Sequence, residues 1–164
     1  MMKVSLQKAL LSDIPVISDL ARQIWEKHYV PIIGREQVKY MLKAMYSSKS
    51  LGEQIEKKKH IFYMVYQDNK CVGFVSISSP DKKNYFLHKI YLLQNEQNKG
   101  LGTAVFKLIL KEMHSPESIR LTVNRLNYKS INFYFKNGFH IEKTEDFDIG
   151  KGYFMNDFVM VWSK

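Results

Sequence analysis

The chain has 164 residues, a length that suits one domain with a true core and leaves little room for two. With 45% hydrophobic and 25% charged residues it is excluded from the disordered class, and its net charge of +9 calls for an anionic partner only where that charge is concentrated. The one dense run, Lys57-Lys58-Lys59-His60, reads as a solvated connection ahead of a strand, so nucleic-acid binding is disfavoured, although a polyanionic ligand would draw on the same charge. A single cysteine, Cys71, excludes an internal disulfide and a cysteine metal cluster, and reads as a small buried residue of a strand. No apolar run approaches the roughly 18 to 20 residues that span a bilayer. Residues 1–11 lack the apolar block of a secretion signal, so a soluble cytoplasmic protein is expected.

Residues 3–9 alternate as a first strand, with Val4 and Leu6 on one face. Ser12-Asp13-Ile14-Pro15 reads as a helix start, because Ser12 or Asp13 can cap and Pro15 falls where its missing N–H costs least. Ile17, Leu20, Ala21, Ile24 and Trp25 then recur at helical spacing until Pro31, and Val38, Met41, Leu42 and Met45 mark a second helix over residues 35–46. Trp25 and Tyr29 share one helix face and, with Ile32 and Ile33 in the bend, form a cluster that is either core or the wall of a pocket. After the polar stretch 47–59, residues 61–66 and 71–78 are short, β-branched and aromatic, joined by the turn-forming Gln67-Asp68-Asn69-Lys70. A fourth strand over 85–93 follows. Residues 101–113 are expected to be a helix packed on a sheet, 119–123 a buried strand, and 128–137 a helix stopped by Gly138. Strands over 139–143 and 153–162, with a loop at 146–150, end the chain. No internal repeat or linker interrupts this order, so residues 1–164 are expected to form one domain.

Gln97-Asn98-Lys99-Gly100-Leu101-Gly102-Thr103 lies where the fourth strand gives way to the helix. Two glycines around one leucine leave consecutive amides unpaired at a helix N-terminus, where the helix dipole favours a phosphate, and Lys99 adds a full charge. A P-loop would need a lysine between Gly102 and Thr103. A dinucleotide fingerprint would need a small residue at Val105, so neither fits. A tight strand-to-helix turn would account for the glycines without any ligand.

Gln-x-x-Gly-x-Gly resembles the acetyl-CoA pyrophosphate loop of the GNAT superfamily of N-acetyltransferases. A second motif supports this: Asn127, Ser130, Tyr134 and Gly138-Phe139 stand at the spacing of the GNAT pattern Asn-x-x-Ala-x-x-x-Tyr-x-x-x-Gly-Phe, with serine in place of the commoner alanine. The resemblance implies that Gln97, Asn98, Lys99, Gly100, Leu101, Gly102 and Thr103 hold the pyrophosphate, and that backbone groups at Ile90, Tyr91 and Leu92 pair with pantetheine on a strand that splays from its neighbour. It further implies that Asn127 and Ser130 border the same arm and that Tyr134 is the general acid that protonates the departing thiolate. His88 occupies the position where relatives often carry glutamate. It is therefore a base for the acceptor amine, unless water leads the proton out and His88 is structural.

The expected fold is accordingly an α/β (α+β), GNAT-like mixed and mostly antiparallel sheet flanked by helices, in the order β-α-α-β-β-β-α-β-α-β-β. The expected activity is direct acetyl transfer from acetyl-CoA to a primary amine in a ternary complex, with no metal. A small amine or polyamine is the favoured acceptor, since the C-terminal region is similar to bacterial spermidine and spermine acetyltransferases, less specifically. On that reading Trp25, Tyr29, Ile33, Asp148 and Asp157 contact the acceptor, although the acids can equally be solvated loop residues. A non-catalytic acyl-CoA sensor and a basic nucleic-acid-binding domain are the alternatives, and a homodimer is left open.

Overall fold

The computed structural model describes residues 2–93 and 100–164. The order is β1 (Val4–Lys8), a 3-10 turn (Leu11–Asp13), α1 (Ile14–His28), α2 (Val30–Ile33), α3 (Arg35–Tyr46), α4 (Ser48–Glu56), β2 (Ile61–Gln67), β3 (Lys70–Ser78) and β4 (Asn84–Leu92). It continues with α5 (Leu101–Glu112), β5 (Ser118–Asn124), α6 (Tyr128–Lys136), β6 (His140–Gly150) and β7 (Tyr153–Ser163). No described helix is long and apolar enough to cross a membrane.

The strands form one sheet in the order β1-β2-β3-β4-β5-β7-β6. All neighbours are antiparallel except β4 and β5. Asp68 and Asn69, both at positive φ, close the β2–β3 hairpin, which is why a short polar pair suffices there. On one face, Val105, Phe106 and Ile109 of α5 and its C-cap Met113 pack with Ile131 and Tyr134 of α6 against Val75, Leu87, Ile119 and Leu121. On the other, Ile17, Leu20 and Trp25 of α1, Met41 and Tyr46 of α3 and Leu51 of α4 cover Phe62, Met64 and Phe74. Alternation along β2 and β3 therefore feeds two apolar layers, as a sheet covered on both sides requires.

Three segments depart from the sequence reading. Part of the stretch 47–59, read only as polar, is helix α4: the Ser47 side chain accepts from the Ser50 amide at 3.3 Å, and Leu51 and Gln54 are buried beneath it. Pro31 does not end α1, which stops at His28, but sits in the first turn of the short α2. The expected loop at 146–150 is the second half of strand β6, where Phe147 and Ile149 turn inward while Asp146 and Asp148 face solvent. The acids masked a period of two. Cys71, expected to be buried, is half-buried on β3.

Candidate active site

β4 and β5 run side by side over three pairs only, Asn84 with Ser118, Tyr85 with Ile119 and Phe86 with Arg120. Past that point both strands continue, to Leu92 and Asn124, but among the described residues no ladder joins them. The gap is a cleft of about 200 Å³, walled by Leu87–Leu92 on one side, by Thr122 and Val123 on the other, and closed by the starts of α5 and α6.

α5 begins at the mouth of this cleft. Gly100 precedes it in the left-handed conformation, φ 75°, where a side chain is strained. The first helical hydrogen bond runs from the Ala104 amide to the Gly100 carbonyl at 3.0 Å, so the amides of Leu101, Gly102 and Thr103 precede the ladder and form the helix's open N-terminus. A Cβ on Gly102 would stand 3.0 Å from the Phe133 ring, so glycine there lets α5 and α6 approach. Gly100, Gly102 and Thr103 line the cleft, whereas the Leu101 side chain is fully buried in the core. Gln97, Asn98 and Lys99 lie outside the described residues.

Asn127, Ser130, Phe133 and Tyr134 form the α6 wall. Asn127 is the N-cap: its Oδ1 accepts from the Ser130 amide at 3.3 Å and lies 3.0 Å from His28 Nε2, while its Nδ2 is 3.5 Å from the Tyr29 hydroxyl. Tyr134 packs edge-on to Phe133 and Phe139, and burial raises its phenol well above the usual 10, so the hydroxyl keeps its proton at neutral pH.

The β4 wall carries a bulge. Ser76 pairs with Lys89 and Ile77 with Leu87, which leaves His88 as the extra residue and brings it and Lys89 together at the cleft. His88 Nε2 lies 2.7 Å from Ser78 Oγ, and its ring stacks on His60 at 3.8 Å. Burial, then the His60, Lys89 and Lys58 charges, push the His88 imidazole down to about 3. It is neutral, and a weak proton acceptor.

Of the proposed acceptor residues, Tyr29 lines the cleft, with its phenol pushed up to about 12 chiefly by burial. Trp25 is buried behind Tyr29, rings 4.3 Å apart, and Ile33 packs on the same cluster. Neither borders the cleft. Asp148 is solvent-exposed and accepts from the Gly150 amide at 2.9 Å. Asp157 is buried on β7 opposite Asn124, and desolvation pushes its carboxyl up to about 6 against Thr122 and Arg125. Its charge reaches Tyr29. Neither acid is among the residues that line the cleft.

Among the cleft residues that went unnoticed in the sequence are His28 and Lys89. His28 reaches Asn127 from 99 positions away. Lys89 is buried, donates to Gln54 Oε1 at 2.9 Å, lies 5.5 Å from both the Tyr46 and Phe62 ring centroids, and is pushed down to about 8 by desolvation. Neither sits in a local motif. The only sequence signal was a basic residue inside an otherwise apolar, strand-like run at Lys89.

A profile of the Acetyltransferase (GNAT) family matches residues 20–139. The chain belongs to the GNAT acetyltransferase family. Among relatives of this GNAT protein, a spermidine N(1)-acetyltransferase of Thermoplasma acidophilum is 27% identical over 161 residues, covering 93% of this chain and 99% of the relative. An uncharacterised N-acetyltransferase of Mycobacterium bovis is 26% identical over 153 residues, 92% and 97% of the two chains. The fold is that of a Thermoplasma acidophilum N-acetyltransferase solved in complex with coenzyme A, with a TM-score of 0.80 and 24% identity over 99% of both chains. It is also that of the ribosomal-protein-S18-alanine N-acetyltransferase of Escherichia coli, with a TM-score of 0.73 and 16% identity over 98% of this chain and 94% of that one.

Proposed function

We propose that this GNAT protein transfers the acetyl group of acetyl-CoA directly to a primary amine, in a ternary complex. The observation that carries the reading is the divergence of β4 from β5 beside the open N-terminus of α5, with Tyr134 on the adjoining wall. Amides of Leu101 to Thr103 suit a pyrophosphate, and the edge of Leu87 to Tyr91 that faces β5 without a ladder suits the amides of a pantetheine arm. Acetyl-CoA would supply the activated acyl carbon. The chain's own part is to hold the arm, to keep Tyr134 protonated for the thiolate, and to admit one amine at the Tyr29 and Asn127 end.

A polyamine is the acceptor class we favour, a reading supported by the name of the Thermoplasma relative and by the buried carboxyl of Asp157 near Tyr29, which offers a second ammonium a counter-charge. Acetyl-CoA turnover should be measured over spermidine, spermine, an amino sugar and a short peptide with a free N-terminus. Polyamine turnover is expected, and Tyr134→Phe should keep coenzyme A affinity while losing on the order of 10²-fold or more in kcat. Tight coenzyme A binding with no turnover of any amine would favour the sensor alternative.

A further inference from the structure

His28 ends α1 at the acceptor side of the cleft, and its only described hydrogen bond fixes its chemistry. Asn127 Oδ1 is identified as the oxygen because the backbone amide of Ser130 donates to it. An oxygen cannot donate, so the ring nitrogen 3.0 Å away, Nε2, carries the hydrogen. The neutral ring then holds its lone pair on Nδ1. An amide cap on one helix thus sets the tautomer of a histidine on another.

From this geometry we infer that His28, through Nδ1, is the group that takes the proton from the incoming ammonium, a role that rests on the acetyl-transfer reading above. His88 is ill-suited, being tied to Ser78 and stacked on His60. The titratable groups facing His28 are Lys129 from α6, which opposes its protonated form, and the Tyr29 phenol beside it, rings 4.8 Å apart. Burial, foremost, holds it below its usual 6.5, so it is neutral and able to accept at physiological pH. The ammonium gives one proton to Nδ1, and the freed lone pair forms the new N–C bond as the C–S bond breaks. Tyr134 gives its proton to sulfur and regains one from the nitrogen of the forming amide, and the imidazolium returns its proton to solvent.

His28→Gln keeps an N–H in reach of Asn127 and removes the lone pair. With an alkylamine acceptor, protonated at neutral pH because its pKa is near 10, kcat/KM should fall on the order of 10²-fold. With a hydrazide acceptor, already neutral, it should change little, while coenzyme A affinity stays as in the wild type. An equal fall for both acceptors, or none for either, overturns the proposal. Nitrogen-15 spectra of the labelled imidazole supply a second readout that needs no acceptor: Nε2 protonated and Nδ1 bare at neutral pH is expected, and the opposite tautomer or an imidazolium overturns it. Wild-type protein that acetylates neither amine would instead defeat the acetyl-transfer reading, while the tautomer measurement still judges His28.

Discussion

At His88 and His60 the chain stacks two imidazoles 3.8 Å apart beside buried Lys89, an arrangement that disfavours protonation. Burial holds His60 near 4 and His88 near 3, against an unfolded value of about 6.5. Both folded values are depressed, so the unfolded chain binds more protons between pH 6.5 and the folded values, and stability is lost as pH falls through that window. Thermal melts should show this acid sensitivity, and His88→Gln should reduce the dependence of Tm on pH between about 4 and 6.5. An unchanged slope would mean that the pair is not held neutral. Asp157 behaves in the opposite sense. Its folded carboxyl, near 6, lies above the unfolded value of about 3.9, so the charged form is disfavoured by folding and stability falls as pH rises between the two. Asp157→Asn should therefore raise Tm at neutral pH; if Asp157 also meets the acceptor, KM for spermidine should rise in the same variant. Such a gain in stability with a loss in function is the usual mark of a charge held for use.

Among the elements, β3 lies against the backbone of β4 at Gly73, near the start of the strand. A Cβ on Gly73 would stand in contact with the Tyr91 carbonyl oxygen, with Leu92 Cδ2 at 2.8 Å and Leu92 Cα at 3.0 Å. Because two of these are backbone atoms of β4, Gly73→Ala must push that strand rather than rotate a side chain. A loss of about 1–3 kcal/mol or more in denaturant unfolding is expected, with weaker coenzyme A binding, since Tyr91 and Leu92 line the cleft. Normal affinity in a destabilised Gly73→Ala protein would show that this end of β4 does not meet the ligand. The same scale explains what the sequence made legible. Gly100 before α5, Asn127 capping α6 and Asp68-Asn69 closing a hairpin are demands of local backbone geometry, and leave local signatures. The His88 bulge, the Lys89–Gln54 bond and the His28–Asn127 bond depend on segments far apart in the chain, and no local pattern announces them. α4 was missed because its buried face is narrow, Leu51 and the polar Gln54, and lies inside a run of lysines and serines. Half of β6 was missed because alternating aspartates look like a loop unless Phe147 and Ile149 are read at a spacing of two.

For the whole molecule, the two core layers and a mostly antiparallel sheet follow from the alternation of helical and strand periods, but the place where the sheet parts does not. β4 and β5 both continue beyond their three paired residues, and nothing in the local pattern of either strand marks where the pairing stops. The net charge of +9 is spread over the surface, and should make coenzyme A binding weaken with salt. A ligand that binds only the folded chain adds about 2.7 kcal/mol at a concentration a hundred times its Kd. Thermal melts with coenzyme A should therefore shift upward by several degrees, dephosphorylated pantetheine being much less effective, and an absence of any shift at millimolar ligand would count against the α5 terminus as its seat.

The three rungs between β4 and β5 sit at one end of the interface, like a fulcrum, and the notch beyond them has no braces of its own along the backbone. A bound pantetheine would act as a splint, its amides supplying rungs that the polypeptide omits. Deuterium exchange should then slow upon ligand addition along both lips of the notch, residues 87–91 and 121–123, while the three-rung end stays as it was.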